Sequence, residues 1–278
     1  APPCGILLPR RERRHRPVSK LPAVIYYDDE RNNEFSTAVI TPKRIDGNWV
    51  YLHTSPWKRF THFFWYRMVA TPLAFFYLKH KFRHKVVGRE KLPRDKKTGY
   101  FLFGNHTQPT GDAVLPSMLT CPKDAYTVVH PNNVSMPVLG RITPSLGALP
   151  LPDDLAAARN FAKAIETRVR EGCCVVIYPE AHIWPYYTGI RPFPDDSFSY
   201  PIRLGAPVFC FTNTYVKRRH GKKPRIVTYI DGPFFPDPAL RGAAARRELR
   251  DRVYRTMCGR AASSNIEVIH YVKKELHE

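Results

Sequence analysis

Hydrophobic and polar positions change their rhythm three times along the chain. From Val86 onward, short apolar runs alternate with longer stretches whose apolar residues recur at helical spacing. The runs Tyr100–Phe103, Ala125–Val129, Cys173–Tyr178, Pro207–Phe211 and Arg225–Ile230 read as strands; Ala113–Leu119, Leu155–Arg170 and Pro238–Cys258 read as helices. Such alternation predicts an α/β fold, a mixed sheet flanked by helices. Between Ala23 and Thr54, "AVIYY" and "NWVYLHT" have strand character and are separated by the polar turns "DDERNN" and "RIDGN". Residues 1–22 are rich in Pro and Arg, lack periodicity, and read as a flexible basic arm. The chain shows no internal repeat.

One segment follows neither pattern. "FTHFFWYRMVATPLAFFYL", Phe60 to Leu78, is almost wholly aromatic and aliphatic, with Lys58 and Arg59 before it and "KHKFRHK" after it. As a helix it would rise about 29 Å, nearly the thickness of a hydrocarbon core. Arg67 near its middle would cost roughly 2.5–3.5 kcal/mol at that depth, and Pro72 and His62 add to the penalty. Spanning is disfavoured. A helix or kinked helix pair at the membrane interface fits better, with a buried helix packed on the domain as the alternative. The chain therefore divides into a basic arm (1–22), an N-terminal region with an interfacial helical segment (23–85) and a catalytic domain (86–278).

Charge adds a constraint on partners. With 44 Lys+Arg against 24 Asp+Glu the formal net charge is +20, which points to a polyanion: lipid headgroups, phosphorylated substrates or nucleic acid. Nucleic acid is the weakest of these, because no zinc-finger spacing or ribonucleoprotein aromatic signature is present, and "RGAAARRELRDRVYR" mixes acidic residues into its basic run. The 6 cysteines show neither metal-ligand spacing nor a regular disulfide framework, which favours a reducing compartment. "CGILLP" is too short for a signal peptide and is followed, not preceded, by basic residues.

Two Pro-containing bends carry candidate chemistry. In "YFLFGNHTQPTGDAVLPS" an apolar run delivers Asn105 and His106, then Pro109 and Gly111, then Asp112 at the start of the next helix. On one continuous helix, His106 and Asp112 would lie about 240° apart. Pro109 and Gly111 break that helix, so the carboxylate can accept a hydrogen bond from one ring nitrogen and leave the other as a general base. The alternative is a helix-capping Asp112 with His106 bonded to a nearby carbonyl. The second bend, "GCCVVIYPEAHIWPYYTGIRPF", delivers Glu180 and His182, with Arg191 nearby. Cys173 and Cys174 fall within its apolar strand, where a thiol behaves as a small hydrophobe rather than a nucleophile. A metal hydrolase built on His106, Asp112, Glu180 and His182 is a further enzyme reading.

Four blocks together resemble the glycerolipid acyltransferases of the 1-acylglycerol-3-phosphate acyltransferase type. They are "GNHTQPTGD", "LGALPLP" (Leu146 to Pro152), "VVIYPEAH" (Val175 to His182) and "APVFCF" (Ala206 to Phe211), in the family's order. The resemblance implies an O-acyltransferase that moves a fatty acyl chain from acyl-CoA or acyl carrier protein to a hydroxyl of a lysophospholipid or glycerol phosphate. No cofactor beyond the acyl donor is implied. His106 would take the hydroxyl proton and Asp112 would orient the imidazole, with Asn105 and Glu180 on the substrate side; the family's phosphate-binding cations are missing at their expected places, and Arg141, His182 and Arg191 are substitutes by proximity only. Partners would be an anionic membrane surface, the acyl carrier and the acceptor, at the cytoplasmic face of a membrane as a peripheral or monotopic protein.

This sequence departs from the family's pattern in three places. Five residues, Thr107 to Gly111, separate His106 from Asp112 where four are usual; Pro152 stands near the place of an Arg; and Ala181-His182 replaces Gly-Thr-Arg. A catalytically inactive lipid-binding member of the same fold is the alternative these departures raise.

Overall fold

A run such as "YFLFG", apolar at every position, is stable only with both faces covered. The computed structural model, which describes residues 23–35, 40–53, 55–221 and 223–274, covers it with two helical layers. In chain order the elements are β1 (Ala23–Tyr27), α1 (Pro56–His62), a π-helical stretch (Phe63–Ala70), α2 (Thr71–Phe82), β2 (Lys85–Val87), β3 (Tyr100–Gly104), α3 (Gly111–Thr120), β4 (Ala125–Val129), α4 (Asn132–Ser135), α5 (Leu139–Ile142) and β5 (Ala148–Pro150). They continue with α6 (Leu155–Arg170), β6 (Cys174–Ile177), α7 (Ser199–Leu204), β7 (Val208–Val216), β8 (Arg225–Phe234), α8 (Gly242–Ala261) and β9 (Ile269–Lys273). The basic arm expected over 1–22 lies outside the described residues.

The central sheet has seven strands in the order β2-β8-β7-β3-β6-β4-β5, and β1 pairs with β9 in a separate parallel ribbon. From β7 to β5 all neighbours are parallel; β8 runs antiparallel to β7, with β2 parallel to β8. Side chains alternate between the two layers as strand geometry requires. Phe101, Phe103, Val175 and Ile177 join α6 and α8, whereas Tyr100, Leu102, Cys174 and Val176 join α2 and α3. Each fully buried aromatic or aliphatic side chain contributes about 1.5–3 kcal/mol of transfer free energy, so β3 and β6 anchor the molecule. His106 and Glu180 follow directly from these two rigid strands.

Ala125–Val129 and Leu155–Arg170 have the bounds read from the sequence. α6 is also capped as its sequence directs, by the Asp154 carboxylate accepting the Ala157 N–H at 2.8 Å. Within "NWVYLHT", the described residues 48–53 are not a strand: Tyr51 is buried against Phe161, and its hydroxyl donates to the Pro150 carbonyl at 2.9 Å, so side-chain packing fixes them instead of strand pairing. β2 and β5 span three residues each, too short for an alternation to register.

The apolar segment of 60–78 is part of one longer helical run from Pro56 to Phe82. Its π-helical middle ends just before Pro72, which has no N–H to close the preceding turn. Arg67 is tolerated there because its guanidinium meets Asp124 at 2.6 Å. Tyr66, Ala74, Leu78 and Phe82 are buried against the domain, while Trp57, Phe60, Met68, Leu73 and Phe76 are exposed. Among the described residues no helix is long and apolar enough to cross a membrane. Ile45 and Tyr51 belong to the same core as β3 and α6, so residues before 86 share the main core and do not build one of their own.

Candidate active site

β3 ends at Gly104 because nothing larger fits: a Cβ there would lie 2.0 Å from the Phe211 ring on β7. Asn105 follows, buried, and pins the departing chain to β7. Its Oδ1 accepts the Asn213 N–H at 2.8 Å and its Nδ2 donates to the Asn213 carbonyl at 3.1 Å. His106 therefore leaves the sheet in a fixed direction, at the carboxyl ends of the parallel strands.

The five-residue interval then closes on itself. Asp112 Oδ2 accepts His106 Nδ1 at 2.9 Å and the backbone N–H groups of Thr107 and Gln108 at 2.8 Å each. Gly111 permits the turn, since a Cβ there would stand 2.9 Å from Gln108 Cβ. The carboxylate is buried, and with Nδ1 engaged as a donor to it, His106 Nε2 carries the lone pair. The dyad contact uses Nδ1 alone, and the side chain keeps 17% exposure. A neutral imidazole held this way can accept a proton from an incoming hydroxyl.

Around the dyad stands a shell that the sequence reading did not assign. The Tyr178 ring stacks on His106 with centroids 4.4 Å apart, and its hydroxyl donates to the Asp112 carbonyl at 2.7 Å. Asn213 Nδ2 donates to Asp112 Oδ1 at 3.3 Å, and Thr228 Oγ1 donates to Asn213 Oδ1 at 2.6 Å. Because the Thr228 proton is committed, His84 Nε2 is the donor in its 2.7 Å contact with Thr228 Oγ1. Burial, helped by Arg225, pushes the His84 imidazole down to about 4. The Trp184 N–H donates to the His106 carbonyl at 3.1 Å and the Tyr186 N–H to the Thr107 carbonyl at 2.9 Å. Trp184 is in turn enclosed by Tyr27 of β1 and Tyr271 of β9. A signal for Asn213 was present in the sequence: "TNT" interrupts an otherwise apolar central strand, and all three side chains are buried.

Glu180 and Arg191 form the second half of the site. Glu180 is wholly buried; Oε2 accepts the His106 N–H at 3.2 Å and Oε1 the Arg191 N–H at 3.2 Å. The Arg191 guanidinium, 1% exposed, turns inward to Glu180 Oε2 at 3.4 Å, to the Glu180 and His182 carbonyls, and onto the Trp184 ring. Burial pushes the Glu180 carboxyl up, and Arg191 opposes that shift. Arg191 is thus tied to Glu180 and not presented to a substrate phosphate. His182 stands apart, half-buried, with its ring 3.6 Å from Glu34. Ala181 holds a left-handed φ of 64°, the conformation for which glycine is suited.

Arg141 is not brought to the dyad at all. On α5 it lines a cavity with Asp124 and Cys173, which precede β4 and β6 at the opposite ends of the parallel strands. Burial lifts the Cys173 thiol to about 11, and Cys174 is fully enclosed with its thiol raised further, so neither supplies a thiolate. Among the described residues no group of three or more His, Cys, Asp or Glu side chains is placed to hold a metal ion.

Residues 83–212, which hold both the histidine beyond β3 and the aspartate that opens α3, match the Acyltransferase family model. The fold is that of the 1-acyl-sn-glycerophosphate acyltransferase PlsC from Thermotoga maritima, whose crystal structure superposes with a TM-score of 0.51 at 16% identity, covering 75% of this chain and 81% of that one. No curated protein matches the sequence. Residues 83–212 thus form an acyltransferase domain, set on the fold seen in PlsC.

Proposed function

We propose that the protein transfers a fatty acyl chain from acyl-CoA or acyl carrier protein to a hydroxyl of a lysophospholipid such as 1-acylglycerol-3-phosphate, in phospholipid biosynthesis. The observation that carries this reading is the clamp on His106 Nδ1, which leaves Nε2 to act as the proton acceptor of the dyad. The acceptor hydroxyl gives its proton to Nε2 as its oxygen attacks the thioester carbonyl. Asp112 stabilises the imidazolium. The tetrahedral centre collapses with cleavage of the C–S bond, and the departing thiolate takes the proton back from Nε2. Glu180 holds the backbone of His106, and no acyl-enzyme is formed. That PlsC is a 1-acyl-sn-glycerophosphate acyltransferase supports a phosphorylated acceptor here. The exposed aromatic stripe of the Pro56–Phe82 run and the net charge of +20 support a peripheral or monotopic position on the cytoplasmic face of an anionic membrane.

Thiol release from acyl-CoA, or from acyl carrier protein, with a panel of lysophospholipids and glycerol phosphate tests the reading. Acceptor-dependent release should fall by about 10²–10⁴ in His106→Ala with the circular dichroism spectrum unchanged. Equal activity in the variant removes His106 as the base. Acceptor binding without release from either donor, in folded wild type, favours an inactive lipid-binding member of the fold.

A further inference from the structure

A cavity of about 760 Å³ opens beneath the π-helical stretch, at the amino ends of the parallel strands and away from His106. Its walls carry Lys58, Arg59, Arg67, Arg141 and Arg168 against two carboxylates, Asp124 and Glu171. The carboxylates are already taken, by Arg67 at 2.6 Å and Arg168 at 2.8 Å. Lys58, Arg59 and Arg141 have no carboxylate within 4.0 Å among the described residues. The Arg168 guanidinium carbon stands 4.3 Å from the centre of the Tyr126 ring, and its Nε is buried without a partner. Burial, then Lys58 and Arg168, push the His53 imidazole down, as expected where cations crowd without neutralisation. Three uncompensated cations around a half-enclosed space are a site for a phosphate.

The remaining wall says which kind of phosphate. Trp49, Tyr51 and Leu149 line the cavity, and Phe63 belongs to it while remaining 55% exposed. On the same helix Phe60, Phe64 and Met68 continue the exposed apolar stripe next to the cationic face of Arg59 and Arg67. Charge and exposed hydrocarbon side by side match a molecule with both features. We propose that this cavity binds the headgroup phosphate of an anionic phospholipid, with its acyl chains along the stripe, at a site separate from the acceptor site at the dyad. The inference rests on the lipid-facing reading of the stripe for the source of the phosphate and on nothing in the acyl-transfer chemistry.

The test uses the full chain and dihexanoyl-phosphatidylglycerol kept monomeric, followed by titration calorimetry, so that neither a bilayer nor catalysis is involved. Saturable one-to-one binding is expected, weakened about tenfold or more by Lys58→Glu combined with Arg141→Glu, two exposed positions, and likewise by Arg168→Gln. Dihexanoyl-phosphatidylcholine should bind about tenfold more weakly than the anionic lipid. Undiminished binding by both variants, or no binding to wild type, overturns the proposal. Inorganic phosphate or coenzyme A binding as tightly as the lipid, and lost in the same variants, overturns the lipid assignment. A protein that releases thiol yet lacks this site fails only the present inference; one that binds here yet transfers no acyl group fails only the proposed function.

Discussion

At the carboxyl ends of the parallel strands the charged groups answer one another: His106 with Asp112, Glu180 with Arg191, each at least partly buried. At the amino ends Lys58, Arg59 and Arg141 point into a cavity whose carboxylates are spent on other cations. Both ends draw on the same residue types. They differ in whether the counter-charge is internal, and that separates a group held in one geometry from a group left to meet a ligand. A base must be aimed before its substrate arrives, whereas a cation for a headgroup gains most by staying unneutralised until then.

Removing an arginine from each end should bring out this contrast most strongly. Arg191→Met leaves the Glu180 carboxylate buried without its partner and should cost about 3–5 kcal/mol of stability in chemical denaturation. Arg141→Met, at an exposed position, should stay within about 0.5 kcal/mol. Comparable losses at the two ends would abolish the distinction. A smaller effect is expected from Asn213→Ala, which strips Asp112 Oδ1 of its donor and leaves the Thr228 hydroxyl proton without its acceptor. Stability should fall by about 1–3 kcal/mol, and activity should drop through kcat with KM little changed.

Protonation offers a milder perturbation confined to the dyad end. His84 titrates near 6.5 when unfolded and is pushed down to about 4 in the fold, so below pH 6.5 the unfolded chain binds the extra proton. Its contribution is complete above pH 6.5 and is lost progressively as pH falls toward 4, by at most about 3 kcal/mol. The acid limb of a stability profile should be flatter in His84→Gln over that window. An unchanged limb would detach His84 from the buried line to Asp112. The smallest change expected is a gain: Ala181→Gly relieves the left-handed φ of 64° and should stabilise by about 0.5–1 kcal/mol, read as a raised denaturation midpoint.

The same two ends differ in how far sequence alone reveals them. β3, β4, β6 and α6 follow from alternation because local period and tertiary burial agree there. His106 and Asp112 were legible as a pair because Pro109 and Gly111 forbid the helix that would separate them. Tyr178, Asn213 and Trp184 join the dyad only through the pairing of β3 with β6 and β7 and through a long loop, contacts with no local period to announce them. Arg141 and Arg191 illustrate the opposite limit. As isolated cations near a motif both resemble phosphate ligands, and only the crossover that carries α5 to the amino ends, and the loop that folds Arg191 back onto Glu180, assign them elsewhere.

β1 and β9 lie far apart in the chain, and Trp184, whose indole both enclose, donates its backbone N–H to the carbonyl of His106. During synthesis β1 emerges early and waits for a neighbour that is translated after every strand of the main sheet. A nascent chain halted before Ile269 would already contain His106, Asp112, Glu180 and Arg191, yet lack the ribbon that steadies them. The backbone contact that holds the His106 carbonyl would then wait on the pairing of two segments nearly the whole described chain apart.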